Sequence, residues 1–247
     1  MQVLPPRLPQ QLSGMARSRA RSRLSDGGAV RVWDLPLRLF HWSLLLLFVI
    51  AYATGNREQY YGVHKAAGFA LFGLLIFRLI WGFAGNRAAR FSSFIRGPRA
   101  ALAHVRELLR GRAHPVAGHN ALGGWAVAVM LILLLTEVVS GLFSSTFDYE
   151  GPLAPLVSDA WADRMAAIHS VNLDLLLAMI GLHLLAIAVT SILGRENLVA
   201  SMIHGRKQLG DASGAVARED SWIPAAGAVI AAAAATGGLI LLGRFLA

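Results

Sequence analysis

Residues 161–193 read WADRMAAIHSVNLDLLLAMIGLHLLAIAVTSIL, an apolar helix pattern carrying two histidines, His169 and His183, 14 residues apart. At about 100° per residue this spacing falls ~40° short of four full turns, so both imidazoles leave nearly the same face. At about 1.5 Å rise per residue they lie ~21 Å apart along the axis. The hydrocarbon core of a bilayer is about 30 Å thick. A helix of this kind places one histidine in each half of a membrane, both aimed the same way. A single histidine in an apolar span is as well explained by packing or an interhelical hydrogen bond as by ligation. Two on one face, with partners on other spans, read as ligands for two cofactors in series.

The composition agrees with a membrane protein: 55% of residues are hydrophobic and only 15% charged. The net charge of +9 does not point to nucleic acid, because the arginines flank apolar spans and read as topology signals and partners of lipid phosphates. There is no cysteine, which excludes disulfides, thiolate-held iron–sulfur clusters and thioether-attached haem. Residues 1–30 hold Pro5, Pro6, Pro9 and ARSRARSRLS with no apolar core, so they read as a disordered basic arm and not as a signal peptide; Met15 offers a second candidate start.

Five spans follow from the apolar runs. The first covers about 35–55, opened by Asp34 as N-cap with Pro36 in the first turn, and carries His41 about two turns in. The second, about 61–85, has His64 near its start, Arg78 near its far end, and Gly68, Gly73 and Gly82 leaving room for a neighbouring backbone or a flat ring. An arginine-rich connection follows, within which residues 98–109 form an amphipathic pattern suited to the membrane surface, while His104 and His114 read as solvated. The third span, about 120–143, has no histidine and one ionisable residue, Glu137, which reads equally as a proton or quinone contact and as a residue near the far surface. The fourth is the 161–193 segment. A polar linker then leads to a fifth span, about 222–246, rich in alanine and glycine and without ligand-type residues, expected to pack at the edge.

Alternating spans put the N-terminal arm and the two arginine-bearing connections on one side, so the positive-inside rule places the N-terminus in the cytoplasm and the C-terminus outside. Depth then pairs the histidines: His41 with His183 in the inner half, His64 with His169 in the outer half. The ~21 Å offset rules out one tetrahedral four-histidine zinc site, whose metal–nitrogen bonds are only about 2 Å. Two bis-imidazole sites on facing helices suit haem iron, with both axial positions filled and the centre confined to electron transfer. Arg78 reads equally as a contact of an inner haem propionate and of lipid phosphate, and His119 as a contact of the inner propionates or a cap for the third span.

The ordered segments WDLPLRLFHW (33–42), GVHKAAGFALFGLLIFRLIWGFAG (62–85), RFSSFIRGPRA (90–100), GHNALGGW (118–125), GPLAPLVSDA (151–160), IHSVNLDLLLAMIGLH (168–183) and RENLVASMIHGRK (195–207) together resemble the prokaryotic cytochrome b561 family. That grouping also contains the b-type cytochrome subunits of nickel–iron hydrogenases. The resemblance covers about residues 31–209 and implies a four-helix transmembrane bundle with two non-covalent haem b groups, for which His41, His64, His169 and His183 fall on the ligand positions. Ala121 stands where relatives often have proline, and Ser170 where an acidic residue is common; neither removes a ligand.

The expectation is therefore an all-α membrane protein: a four-helix haem-binding transmembrane bundle at 31–209, preceded by a basic arm at 1–30 and followed by a linker and a fifth transmembrane helix at 210–247. The leading function is a di-haem cytochrome of the bacterial inner membrane, an electron-transfer protein or oxidoreductase subunit passing electrons between the quinone pool and a c-type cytochrome or dehydrogenase. The alternative is the anchor and electron relay of a hydrogenase or similar oxidoreductase. A proton or metal-ion transporter is a third reading, weakened because Glu137 and Asp174 are the only clear intramembrane acids.

Overall fold

The structure, a computed structural model, describes residues 29–110, 118–194, 197–208 and 222–246. In chain order these form strand β1 (Ala29–Arg31), helix α1 (Leu35–Gly55), α2 (Tyr61–Ala84), the short α3 (Phe91–Phe94), α4 (Pro98–Leu109), α5 (Ala121–Phe143), α6 (Asp159–Gly194), α7 (Leu198–His204), strand β2 (Arg206–Gln208) and α8 (Trp222–Leu246). Among the described residues five helices (α1, α2, α5, α6 and α8) are long and apolar enough to cross a membrane. The chain is an all-α, multi-span membrane protein, and the helix limits stand within two residues of those expected from sequence. Most of the arm at 1–30, together with His114 and most of the linker after residue 209, lies outside the described residues, as does the side chain of His104.

Two of the long helices start where a side chain satisfies a free N–H group. Asp34 caps α1, accepting from the Leu37 amide at 2.9 Å, and Pro36 fits the first turn, where no intrahelical donor is needed. Asn120 caps α5 through the Gly123 amide at 2.7 Å. Asp34 does a second job: its other oxygen accepts the Trp81 indole N–H of α2 at 3.1 Å. Both residues are only 2% exposed, so one carboxylate joins the start of α1 to the end of α2 inside the packed layer.

The helices run alternately up and down. The ends carrying β1, α3, α4 and α7 form a basic end; the α1–α2 turn and the loop from residue 144 to 158 form the opposite, turn end. α1 packs on α2, and α5 on α6, while α2 also touches α5 and α8. Leu71 and Leu75 of α2, Leu134 and Val138 of α5 and Leu176 of α6 make one core cluster. Ala225, Ala228 and Ala232 of α8 enter a second cluster with Trp33, Phe40, Phe77 and Trp81. The alanine spacing gives α8 a thin stripe that lets it lie close to α2, where Gly73 faces Thr236; that glycine serves helix contact, and Gly82 likewise faces Phe91.

The basic end holds a clasp that the sequence did not announce. β1 pairs antiparallel with β2, Val30 opposite Lys207. Gly205 closes α7 with φ of 78°, a left-handed conformation that a side chain resists, and its carbonyl accepts the Val32 and Trp33 amides at 2.8 and 3.1 Å. The Arg38 guanidinium donates to the Ile203 carbonyl. The start of α1 is thereby tied to the segment after α6, and the ladder takes in Ala29 and Val30, two residues of the stretch expected to be a free arm.

Asp34→Ala removes the cap and leaves the Trp81 N–H buried without an acceptor. A loss of about 2–3 kcal/mol is expected from the two effects together, read as a lowered midpoint of unfolding in detergent by circular dichroism, with Asp34→Asn much closer to the unaltered chain.

Candidate functional site

His64 and His169 meet near the turn end. Their ring centroids are 6.3 Å apart with planes at 90°. Each ring is aimed by its Nδ1, which donates to a helix carbonyl: His64 to Ala51 of α1 at 2.9 Å, His169 to Glu137 of α5 at 2.8 Å. A carbonyl on Nδ1 leaves Nε2 as the nitrogen available to a metal, the arrangement that metal-bound histidines use. Small residues make the space. A Cβ at Gly55 would lie 3.3 Å from the His64 ring, and one at Gly141 would lie 2.9 Å from the His169 ring. With about 2 Å per metal–imidazole bond and about 1.1 Å from nitrogen to ring centre, two opposed ligands put their centroids about 6.2 Å apart. The observed separation fits an iron between them.

Glu137 is the partner that sequence reading left open. Its Oε1 lies 3.5 Å from His169 Nε2, and its Oε2 accepts the Asn172 side-chain amide at 2.6 Å. Asn172 also donates to the Leu133 carbonyl at 3.0 Å. The carboxylate is thus neither at the surface nor isolated but belongs to a polar knot between α5 and α6. The available signal was Asn172 itself, a buried amide three residues from His169 on an otherwise apolar helix. Asp174, the other acid of the spans, is exposed on α6.

His41 and His183 lie toward the basic end, within electrostatic reach of each other. His41 Nδ1 is buried without a hydrogen-bond partner. At the same end lie Arg78, 2% exposed and packed over the Phe91 ring at 4.7 Å, and Lys207, 9% exposed. His119 does not cap α5, a role Asn120 fills. It is wedged between Trp33 and Phe94, with ring centroids at 4.8 and 5.0 Å, and is within electrostatic reach of Arg78, His183, Lys207 and His41. α6 leans on α5, and its Leu176 also enters the core cluster with Leu71 and Leu75 of α2. Gly68, one turn beyond His64, borders open space. No group of three or more metal-ligand side chains converges among the described residues; the four histidines stand as two pairs.

Membrane-length helices with histidines paired across them are the architecture of a membrane-embedded cytochrome. The comparisons agree. The family model for prokaryotic cytochrome b561 matches residues 32–205, and the chain belongs to that family. It is a membrane-embedded electron-transfer cytochrome subunit. Similar proteins include three described as probable Ni/Fe-hydrogenase B-type cytochrome subunits. That of Azotobacter vinelandii is 27% identical over 222 residues, 74% of this chain and 90% of the relative. That of Rhizobium leguminosarum is 26% identical, with the same coverage. That of Bradyrhizobium diazoefficiens is 23% identical, covering 81% and 94%. No solved structure matches the chain. α8 lies beyond the family match.

Burial, reinforced by Arg78, His183, Lys207 and His41, pushes the His119 imidazole down to about 4 from 6.5. Between those two values the unfolded chain takes up a proton that the folded chain refuses, so stability falls as the pH drops through this window and levels off below about 4. His119→Phe, which keeps a ring between Trp33 and Phe94, is expected to flatten that slope, measured as unfolding midpoint against pH in detergent.

Proposed function

We propose that the chain binds two haem b groups, one between His64 and His169 and one between His41 and His183, and relays electrons for a hydrogenase-type oxidoreductase complex. The observation that carries this reading is the His64–His169 pair: centroid separation, Nδ1 anchoring to carbonyls and glycine-made space all suit bis-imidazole ligation. Bound haem iron with both axial positions filled supplies one-electron transfer without oxygen binding. The protein's part is to hold four imidazoles on facing helices at two depths and to exclude water from the space between them.

The relatives' names favour the relay-subunit reading over a free-standing quinone cytochrome, although both use the same histidines. A quinone pool in the membrane is the second redox partner. The arginine-rich connection between α2 and α5 supports a cytoplasmic basic end and a catalytic partner at the turn end. In domain terms, residues 31–209 would be the haem-binding bundle and α8 an added helix.

Reduced-minus-oxidised spectra of the purified chain, expressed with ample haem, are expected to show low-spin bands and two haems per chain. His64→Ala or His169→Ala is expected to remove one haem, and His41→Ala or His183→Ala the other. A colourless protein would sink the reading and return the transporter to the front. Mild-detergent purification separates the two cytochrome readings: an iron–sulfur protein retained in stoichiometric amount marks the relay subunit.

A further inference from the structure

The connection between α2 and α5 is strongly basic and is moored to the start of α5. Residues 85–110 carry Arg87, Arg90, Arg96, Arg99, Arg106 and Arg110 against one acid, Glu107. All six arginines are exposed. Two contacts fix where the segment sits. The Trp125 indole N–H donates to the Arg96 carbonyl at 2.7 Å. Gly124 lies so close to the Phe94 carbonyl that a side chain there would overlap it. Trp125 stands four residues into α5, ~6 Å along the axis from its first residue. That is the level of the headgroup belt, where a tryptophan on a spanning helix is favoured. α4 begins two residues after Arg96 and rests on α5, so it is held at the same level.

Arg99, Arg106 and Arg110 follow one another at intervals of 7 and 4 residues, which places them within about 40° of one another around the axis. The helical turn continues through Arg110, whose amide donates to the Arg106 carbonyl at 3.2 Å. Apolar groups are exposed beside this stripe: Leu102 is 53% exposed, Ile95 40% and Trp125 39%. Leu102 lies about 60° round the helix from Arg99. In a headgroup layer such a mixture is favourable, because the apolar groups enter the acyl boundary while the guanidinium groups reach phosphate. A guanidinium fork matches two phosphate oxygens and keeps its charge at any working pH. We propose that the Arg99–Arg106–Arg110 stripe of α4 is a docking surface for anionic phospholipid, whose phosphates meet the guanidinium groups while its acyl chains lie against Leu102 and Trp125. A zwitterionic lipid carries its own cation, which opposes the same arginines, so the surface selects headgroups of net negative charge. Lipid is the occupant because the stripe is held at the level of an interfacial tryptophan, beside two spanning helices. The surface stands apart from both histidine pairs and does not depend on haem.

The chain has no cysteine, so Leu102→Cys offers a single attachment point for a fluorophore beside the stripe. The labelled full chain is reconstituted in phosphatidylcholine bilayers holding a small share of chain-brominated phosphatidylglycerol or, in parallel, the same share of chain-brominated phosphatidylcholine. Bromine quenches only at close range, and the ratio between the two lipids cancels quenching by the chain's own groups. Quenching is expected to be about fivefold stronger with phosphatidylglycerol, the gain from one headgroup charge near one arginine, and to fall toward equality as salt is raised. Arg99→Gln, Arg106→Gln and Arg110→Gln made together are expected to abolish the preference, and lysine at the same three positions to keep most of it. If the glutamine variant loses helix by circular dichroism, the lysine variant and the salt series decide. Equal quenching by the two lipids, a preference that survives in a folded glutamine variant, a preference lost in the lysine variant, or one that does not weaken with salt overturns the proposal. Quenching by neither lipid also overturns it and leaves the stripe to a soluble acidic partner.

Discussion

Inside a bilayer no water is present to accept a stray N–H, and each unsatisfied polar group costs several kcal/mol. This constraint organises the structure. An imidazole in such a place has two nitrogens to account for, and the structure commits one of them to a helix carbonyl: His64 to Ala51, His169 to Glu137. The commitment fixes both ring orientation and which nitrogen is left without a carbonyl partner. It also fixes helix contacts, because each carbonyl belongs to a neighbouring helix. Histidine placement and helix packing are here one arrangement.

The same constraint explains the buried acids. Asp34 survives at 2% exposure because it caps α1 and receives the Trp81 indole. Glu137 survives because Asn172 donates to it and His169 lies beside it. Each carboxylate marks a junction between two helices, one at each end of the bundle, and each sits near one of the histidine pairs. The two ends differ in what surrounds those junctions. Arg78 and Lys207 come within electrostatic reach of His119 at the basic end, whereas Glu137 is the charged contact of His169 at the other.

The clasp of β1, α7 and β2 gives the basic end a floor. Gly205 turns the chain so that its carbonyl meets two amides at the start of α1, and Arg38 reaches the end of α7. Lys207 reaches the inner cluster through this clasp. α8 adds a second wall to α2, built on an alanine stripe that contributes shape more than apolar area.

Sequence alone determined the spans, because apolar runs of membrane length and their caps are local signals: Asp34 with Pro36, and the uninterrupted run through residues 161–193, need no tertiary context. The histidine spacing on α6 was equally legible, since helical periodicity converts 14 residues directly into depth and direction. Family membership followed from the ordered motifs. What only the tertiary structure decided was which groups satisfy one another. Glu137 read equally as a surface acid or a functional contact until α5 and α6 came together to place it beside Asn172 and His169. His119 read as a propionate contact or a cap until Asn120 took the cap and Trp33 and Phe94 closed over its ring. The β1–β2 ladder joins residues far apart in the chain, and no local pattern encodes that pairing. Hydrogen-bond satisfaction in a low-dielectric interior is a property of pairs across helices, which a single strand of sequence does not list.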